Sequence, residues 1–325
     1  MKTKILTKLT ESDAYISGQE LCDEFGVSRT AIWKVMNQLK EMGYVIESVP
    51  NKGYRLVSKP DILSANEIAS GLHTKWAGQN IHYFDETGST NDDAKRFAAQ
   101  GEVHGTLVVA DKQTMGRGRR GRTWISTEGV NAFFSIIVRP DMSPNKASML
   151  TLVMALAVCQ AIREETELDA HIKWPNDIVV NRKKVCGMLT EMTAELDYIH
   201  EVVIGVGINM NQTEFPEEIQ ENASSLYVQG GQKVMRSNLV KSCMEQFEKY
   251  YDMFMQSQDL SGLQDTYNAL LVNMDTGVKV LDPKGEYEGI ARGIDEEGQL
   301  LVERDGKLQA VYAGEVSVRG FYGYV

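Results

Sequence analysis

Residues 116–124 read Gly-Arg-Gly-Arg-Arg-Gly-Arg-Thr-Trp, four arginines and three glycines in a chain whose net charge is −11. This segment buries too little apolar surface to offset its chain entropy, so it reads as a loop rather than core. Guanidinium groups offer planar forks of donors to carboxylate or phosphate oxygens, and glycine lets backbone N–H groups approach the same anion. Two readings stay open on these residues alone. One is a mobile clamp that orders around an anionic ligand, the other a non-specific nucleic-acid patch.

Three further segments carry reactive side chains. Gly88-Ser-Thr-Asn91 precedes a helix expected to begin near Asp92. Its hydroxyl and amide groups suit either helix capping or the polar atoms of a ligand. In Lys173-Trp-Pro-Asn-Asp177 the proline excludes helix and stiffens the approach to a strand at Ile178-Val-Val. Asn176 and Asp177 then sit at a rigid corner beside a lysine and an aromatic wall, although such a corner is also an ordinary turn. Asn181-Arg-Lys-Lys184 turns the chain back into Val185-Cys-Gly-Met-Leu-Thr and places Lys184 at the first residue of the returning strand. A strand holds a lysine more firmly than a loop does. The bland alternative is that Lys183 and Lys184 both solvate a hairpin tip. Together, a fixed lysine, an Asn/Asp corner and an arginine-glycine clamp suit a carboxylate attacking the α-phosphate of ATP. The chain has neither a Gly-x-x-x-x-Gly-Lys-[Ser/Thr] loop nor a Gly-x-Ser-x-Gly elbow, so P-loop and hydrolase-elbow chemistry are excluded.

The elements that position these residues are legible in part. Residues 106–110, 132–138 and 202–208 are rich in β-branched and aromatic side chains and read as strands, and 149–164 as a long apolar helix lying across a sheet. This is a mixed α/β catalytic domain whose sheet order the sequence leaves open. From about Thr276, short segments with turns at 282–285 and 295–298 suggest a small SH3-like barrel. No stretch approaches the roughly 20 apolar residues of a membrane span, and the N-terminus lacks a secretory core. No membrane partner is therefore expected, and the cytoplasm is the default. Four scattered cysteines and five scattered histidines suggest neither disulfides nor a protein-built metal site.

Charge separates the first 60 residues, at +2, from the remainder, at −13. Residues 17–25 read as a helix capped by Ser17 with Glu20 at the capping-box position, Gly26-Val27 as a tight turn, and 29–42 as a second helix capped by Ser28. Ile32, Val35, Leu39 and Met42 form its apolar stripe. Residues 44–48 and 54–57 pair around the turn Pro50-Asn-Lys-Gly53. This is a winged helix-turn-helix over 1–60, with the helix-turn-helix at about 18–37 and its second helix as reader. The candidate DNA contacts are Ser28, Arg29, Thr30, Lys34, Asn37 and, on the wing, Lys52. Trp33 suits either packing on the wing or the DNA side, and a protein-interaction module is the alternative for the whole segment. A hinge is expected over 58–64, then a catalytic domain over 61–270 and the barrel over 271–325.

The five motifs Gly-Ser-Thr-Asn, Gly-Arg-Gly-Arg-Arg-Gly-Arg-Thr-Trp, Lys-Trp-Pro-Asn-Asp, Lys-Val-Cys-Gly-Met-Leu and Gly-Val-Gly-Ile-Asn-Met-Asn, in this order behind a winged helix, resemble the bifunctional biotin–protein ligase and biotin operon repressor family over essentially the whole chain. The resemblance implies a class II synthetase-like catalytic domain that makes biotinyl-5′-AMP from biotin and Mg-ATP. It then biotinylates a lysine on the biotin carboxyl carrier protein of acetyl-CoA carboxylase, with other biotin-dependent carboxylases as further acceptors. By the same resemblance, Ser89, Thr90, Asn91 and Gln113 contact biotin. Arg117, Gly118 and Arg119 close over biotin and adenylate. Lys184 contacts carboxylate and phosphate. Trp124, Asn176 and Asn209 line the nucleotide site, and Asp177 is the metal- or adenylate-side carboxylate, with substrate Mg2+ near it. Lys184, Arg119 and Asp177 are the implied catalytic set. The adenylate is also implied to favour a homodimer through the central sheet, which presents two winged helices to operator DNA. Cys186 stands where the family usually has a small residue such as alanine, and its size fits. A repressor that only senses a ligand, and a lipoate ligase, are the competing readings.

Overall fold

The computed structural model describes residues 1–282, 285–313, 317–320 and 323–325. The chain divides into two compact units, Met1–His73 and Thr74–Val325.

The first unit contains α1 (Lys2–Thr10), α2 (Gly18–Phe25), α3 (Arg29–Glu41), β1 (Val45–Val49), β2 (Gly53–Ser58) and α4 (Ala65–Ala69). The caps form as expected. Ser17 Oγ accepts from the Glu20 N–H at 3.0 Å, and Ser28 Oγ from the Ala31 N–H at 3.3 Å. Gly26 ends α2 at φ +64°. Ile32, Val35, Met36 and Leu39 of α3 are buried against Ile5, Leu6 and Leu9 of α1. Met42 lies just past the last helical residue and is only partly buried, so Met36 takes the place expected for it. Periodicity did not reveal α1, which has no side-chain cap and a three-residue apolar stripe.

This unit runs beyond the expected boundary at residue 60, because α4 belongs to it. Thr3 Oγ1 donates to Asn66 Oδ1 at 2.7 Å, and the Tyr44 hydroxyl donates to the buried Glu67 carboxylate. The hairpin is anchored to the helices through Ile16, which exchanges backbone hydrogen bonds of 2.9 Å with Tyr54 in both directions. Gly53 makes that approach possible. It sits at φ +113°, and a Cβ there would lie 2.0 Å from the Ile16 carbonyl oxygen.

The second unit is built on a seven-stranded sheet, from β3 (Ile81–Thr87), β4 (Leu107–Gln113), β5 (Ala132–Val138), β6 (Ala170–Lys173), β7 (Asp177–Val180), β8 (Lys183–Ala194) and β9 (Ile199–Ile208). Its order is β3-β4-β5-β9-β8-β7-β6, and only the β3–β4 pair is parallel. Helix α5 (Thr90–Ala99) packs on β4, β5 and β9, burying Ala94 and Ala98 against Val108, Ile137 and Val203. Helix α6 (Met149–Thr166) covers β6, β7 and β8, and Thr151 Oγ1 donates to Thr190 Oγ1 at 2.7 Å. On length and composition α6 would pass as a membrane span, contrary to the expectation that no segment comes close. Its apolarity has another cause: twelve of its residues are buried, with α8 (Arg236–Ser257) lying against it. Between β9 and α8 lies α7 (Leu226–Gly230), and α9 (Gln264–Leu270) follows α8.

A second antiparallel sheet, ordered β13-β12-β11-β10-β14, forms the C-terminal SH3-like part: β10 (Gly277–Leu281), β11 (Tyr287–Ile294), β12 (Leu300–Arg304), β13 (Lys307–Val311) and β14 (Ser317–Gly320). The expected turn at 295–298 closes with Gly298 N–H donating to Asp295 O at 3.0 Å. Pro283 and Lys284 of the turn expected at 282–285 lie outside the described residues. The buried Trp174 donates from Nε1 to Gly298 O at 3.0 Å, so this sheet and the seven-stranded sheet are parts of one compact unit.

Replacing Gly53 with alanine forces a Cβ into the Ile16 carbonyl at a positive φ. The Met1–His73 unit should lose roughly 2 kcal/mol, read as an earlier N-terminal transition in urea. An unchanged midpoint would refute this account of the anchored hairpin.

Candidate functional site

Glycines make the floor. Gly187 pairs with Gly207 and Leu189 with Gly205 across β8 and β9, and Ser135 of β5 pairs with Gly205 on the other side. Missing side chains on this face leave a hollow that its neighbours fill closely. A Cβ on Gly205 would lie 2.0 Å from Asn91 Oδ1, and one on Gly187 or Gly207 would lie 2.7 Å from the Trp124 ring. Alternate glycines in a buried strand mark such a close approach, and Gly205-Val-Gly207 was that signal in the sequence. Above this floor lies a cavity of about 830 Å3. All twelve residues expected from the resemblance to hold biotin or nucleotide, or to catalyse, line it.

The Gly-Ser-Thr-Asn segment does more than cap. Helix α5 starts at Thr90, two residues earlier than expected, and Ser89 occupies the N-cap position without a side-chain capping bond. Ser89 is among the residues that line the cavity. Gln113 Oε1 accepts from Thr90 N at 2.8 Å and from Thr90 Oγ1 at 3.1 Å. Ser135 Oγ reaches Thr90 Oγ1 at 2.8 Å and Asn91 Oδ1 at 2.7 Å, and Asn91 Nδ2 donates to Leu189 O and Glu191 Oε2. This network fixes three side chains under the cavity. Ser135 was not among the expected residues, since nothing local distinguishes a serine inside an apolar strand.

The arginine loop folds back on itself as a small hairpin. Gly118 N–H donates to Arg122 O at 2.7 Å, Trp124 N–H donates to Gly116 O at 2.9 Å, and Arg120 takes a positive φ of 58°. Two of its arginines have partners across the cavity rim. Arg117 Nη2 donates to Asp92 Oδ1 at 2.5 Å, while Arg119 donates to Asn176 Oδ1 at 3.0 Å and to the Ala313 carbonyl. The indole of Trp124 lies over the glycine floor, 5.3 Å from Lys184 Nζ.

The choice between Lys183 and Lys184 is made by a bulge. On β7 and β8, Asp177 pairs with Gly187 and Ile178 with Cys186, but Val179 pairs with Lys184 and Val180 with Lys183. Val185 is therefore an extra residue. Because successive residues alternate faces, the insertion brings Lys184 onto the face of Asp177 and Gly187 and leaves Lys183 on the other. Lys184 Nζ lies 2.6 Å from Asp177 Oδ1, whereas Lys183 Nζ donates to Gln220 O at 3.3 Å. Strand β8 starts at Lys183, so Lys184 is its second residue rather than its first. Its backbone is tied down on both sides, to Asn222 O at 2.7 Å and from Ser224 N–H at 2.9 Å. Asn209 Nδ2 supports the same segment through Ser224 O at 3.1 Å.

Asp177 is buried. Burial works to raise its pKa, but Lys184 and Lys173, with hydrogen bonds from Lys184 and Tyr324, hold the carboxyl below the usual aspartate value. The stability this gives is present above the unfolded aspartate value and is lost only as pH falls below it. Lys173, also buried, is pushed down by burial to about 8, against the pull of Asp177 and with the repulsion of Lys184, Arg319 and Arg119. Tyr324, Arg122 and Arg319 line the cavity as well. Arg122 belongs to the arginine loop, whereas Tyr324 and Arg319 were not expected, because folding alone brings them to this site. Both Asp177 oxygens are engaged, by Lys184 and by Tyr324, and among the described residues no three His, Cys, Asp or Glu side chains converge.

In the N-terminal unit the polar side of α3 faces outward. Ser28, Arg29, Thr30 and Lys34 are exposed, Asn37 is half-buried, and Lys52 is exposed at the wing tip. Ser28 uses its hydroxyl as the cap of α3, and Arg29 donates to Gln19 at 2.9 Å. Trp33 is 60% exposed, so it does not pack on the wing.

Comparison with known proteins matches residues 83–209 to the biotin/lipoate A/B protein ligase family, residues 2–55 to an HTH domain and residues 276–319 to the biotin protein ligase C terminal domain. The chain is similar to the bifunctional ligase/repressor BirA of Bacillus subtilis, with 41% identity over 94% of each chain. It is also similar to the protein of the same name from Escherichia coli, with 30% identity over 97% of this chain and 96% of that one. Among solved structures, biotin protein ligase from Aquifex aeolicus in complex with biotin and ATP superposes with a TM-score of 0.67. That match has 31% identity and covers 74% of this chain and 99% of the other.

The glycine floor carries its own test. Gly205→Ala drives a methyl group into Asn91 and should lower ligand affinity at the cavity by about tenfold or more, following the loss of a well-placed polar group. Titration calorimetry reads this directly, and wild-type affinity would refute it.

Proposed function

This chain belongs to the bifunctional biotin ligase/repressor family, and from that premise we propose how its residues divide the work. The protein is an ATP-dependent ligase that activates biotin as biotinyl-5′-AMP and transfers the biotinyl group to a lysine of a biotin carboxyl carrier protein. Through its helix-turn-helix it also represses the biotin biosynthesis operon. In the first step a biotin carboxylate oxygen bonds to the α-phosphorus of ATP and pyrophosphate leaves. In the second, a carrier lysine amine attacks the acyl carbon of the anhydride and AMP leaves.

The observation that carries this division is the convergence of Lys184, Arg119 and the Asn176–Asp177 corner on one cavity whose opposite wall is the Ser89–Thr90–Asn91–Gln113 network. Ser89, Thr90, Asn91 and Gln113 hold biotin. Lys184 bridges its carboxylate and the α-phosphate, neutralising charge that builds as they approach. Arg117, Gly118 and Arg119 cover the anhydride and keep water from it until the acceptor arrives. Trp124 and Asn209 face the nucleotide, while Asn176 aims Arg119. Magnesium enters with ATP, on phosphate and water oxygens. A cytoplasmic location fits, since ATP, carrier protein and DNA meet there.

We also assign the operator contacts to Arg29, Thr30, Lys34 and Asn37 of α3, with Ser28 at its start and Lys52 on the wing. Two such units bind a two-fold site when the adenylate promotes a homodimer. Strand β3 supports an edge-to-edge pairing: the other sheet edge, β6, is bridged by Leu271, whereas β3 has no outer neighbour among the described residues.

With biotin, Mg-ATP and a carrier domain, wild type should label one lysine. Lys184→Ala should cut adenylate formation by about 100-fold or more, the scale of removing one group that stabilises developing charge. Lys183→Ala should stay near wild type. Equal losses in both variants, or labelling with lipoate instead of biotin, would overturn the assignment.

Removing the phosphate-contacting charge of Lys34 or Lys52 by alanine should weaken operator binding and reduce the salt slope by about one. A slope unchanged in both would place DNA elsewhere on the unit.

A further inference from the structure

The penultimate residue of the chain reaches the catalytic carboxylate. Tyr324 follows β14 in the C-terminal part and donates its hydroxyl to Asp177 Oδ2, while Lys184 Nζ holds Oδ1 of the same carboxylate at 2.6 Å. Its ring does a second job. Lys173 Nζ lies 4.0 Å from the ring centroid, within the range where an aromatic face attracts a cation. One side chain thus bonds the carboxylate of Asp177, which lies among the cations Lys173, Lys184, Arg119 and Arg319, and also covers one of those cations. Arg119 adds a further link to the C-terminal part through the Ala313 carbonyl.

We propose that Tyr324 is a positioning residue for adenylate formation. By occupying Oδ2, it fixes the rotation of the Asp177 carboxylate so that Oδ1 stays on Lys184, and the Lys184 ammonium is thereby aimed into the cavity. By covering Lys173, it keeps that second ammonium inside the site and away from water. The C-terminal barrel therefore acts on the chemistry through Asp177, without a group of its own on the reacting atoms. This rests on the ligase reading above.

A mere packing role and a positioning role separate in the full-length protein by biotin-dependent pyrophosphate–ATP exchange. Tyr324→Phe keeps the ring over Lys173 and removes only the hydroxyl. A hydrogen bond to an ionised group is at stake, so kcat should fall about 10- to 100-fold. The KM values for biotin and ATP should remain within about twofold, because Tyr324 acts on Lys184 in the transition state rather than on ground-state binding. Tyr324→Leu, which also uncovers Lys173, should fall further. In an Asp177→Asn background, Tyr324→Phe should add almost nothing, since the two groups act as one unit. A kcat within about threefold of wild type for Tyr324→Phe overturns the proposal, and so does a full additive loss in the Asp177→Asn background. If wild type itself shows no biotin-dependent exchange, the ligase reading fails and this proposal falls with it.

Discussion

The extra residue Val185 in β8 decides which face of the central sheet carries a lysine. Were Val185 paired regularly instead of bulged, strand alternation would turn Lys184 away from Asp177 and leave the cavity with a carboxylate and no cation on the neighbouring strand. With the bulge, the ammonium and the carboxylate meet at 2.6 Å. A buried aspartate without its partner is expensive, with removal of one member of such a pair commonly costing about 3–5 kcal/mol. The bulge, the Asn222–Ser224 segment that clasps Lys184 on both sides and the Tyr324 hydroxyl therefore form one dependent set. Each makes sense only if the Lys184–Asp177 pair must hold a single geometry.

Around that pair the fold combines rigidity with open space. The glycines of β8 and β9 leave a hollow inside an otherwise densely packed sheet, which α6 covers with α8 packed behind it. Polar groups under the hollow are not left to solvent. Gln113, Ser135, Thr90, Asn91 and Glu191 satisfy one another, so the binding wall is set before a ligand arrives. This is the arrangement that preorganised binding demands, with the first contacts fixed by a second layer. The arginine loop has a different character. Its internal bonds are those of a hairpin, and its charged ends rest on Asp92 and Asn176, groups to which a negatively charged ligand offers competition.

The two activities have separate physical bases. In the N-terminal unit, a capped reader helix and an anchored wing expose cationic side chains over a small apolar core. In the remainder, net negative charge accompanies a deep cavity lined by arginine and lysine.

Much of this was legible in the residues themselves. Caps, turns and periodicity located α2, α3, α6 and the wing, because those signals are local: a serine hydroxyl bonds an N–H three residues on, and a stripe recurs every turn. The five ordered motifs pointed to the chemistry through their resemblance to a known family, and such a resemblance is legible because each motif is a contiguous stretch. Sequence could not rank Lys183 against Lys184 by local signals, since a bulge is a property of two paired strands. Nor could it enlist Ser135 or Tyr324, whose meaning lies in what folding brings beside them. Local chemistry fixed which elements and which reaction; long-range pairing decided which side chains face one another, because strand register and sheet order arise from contacts between residues far apart in the chain.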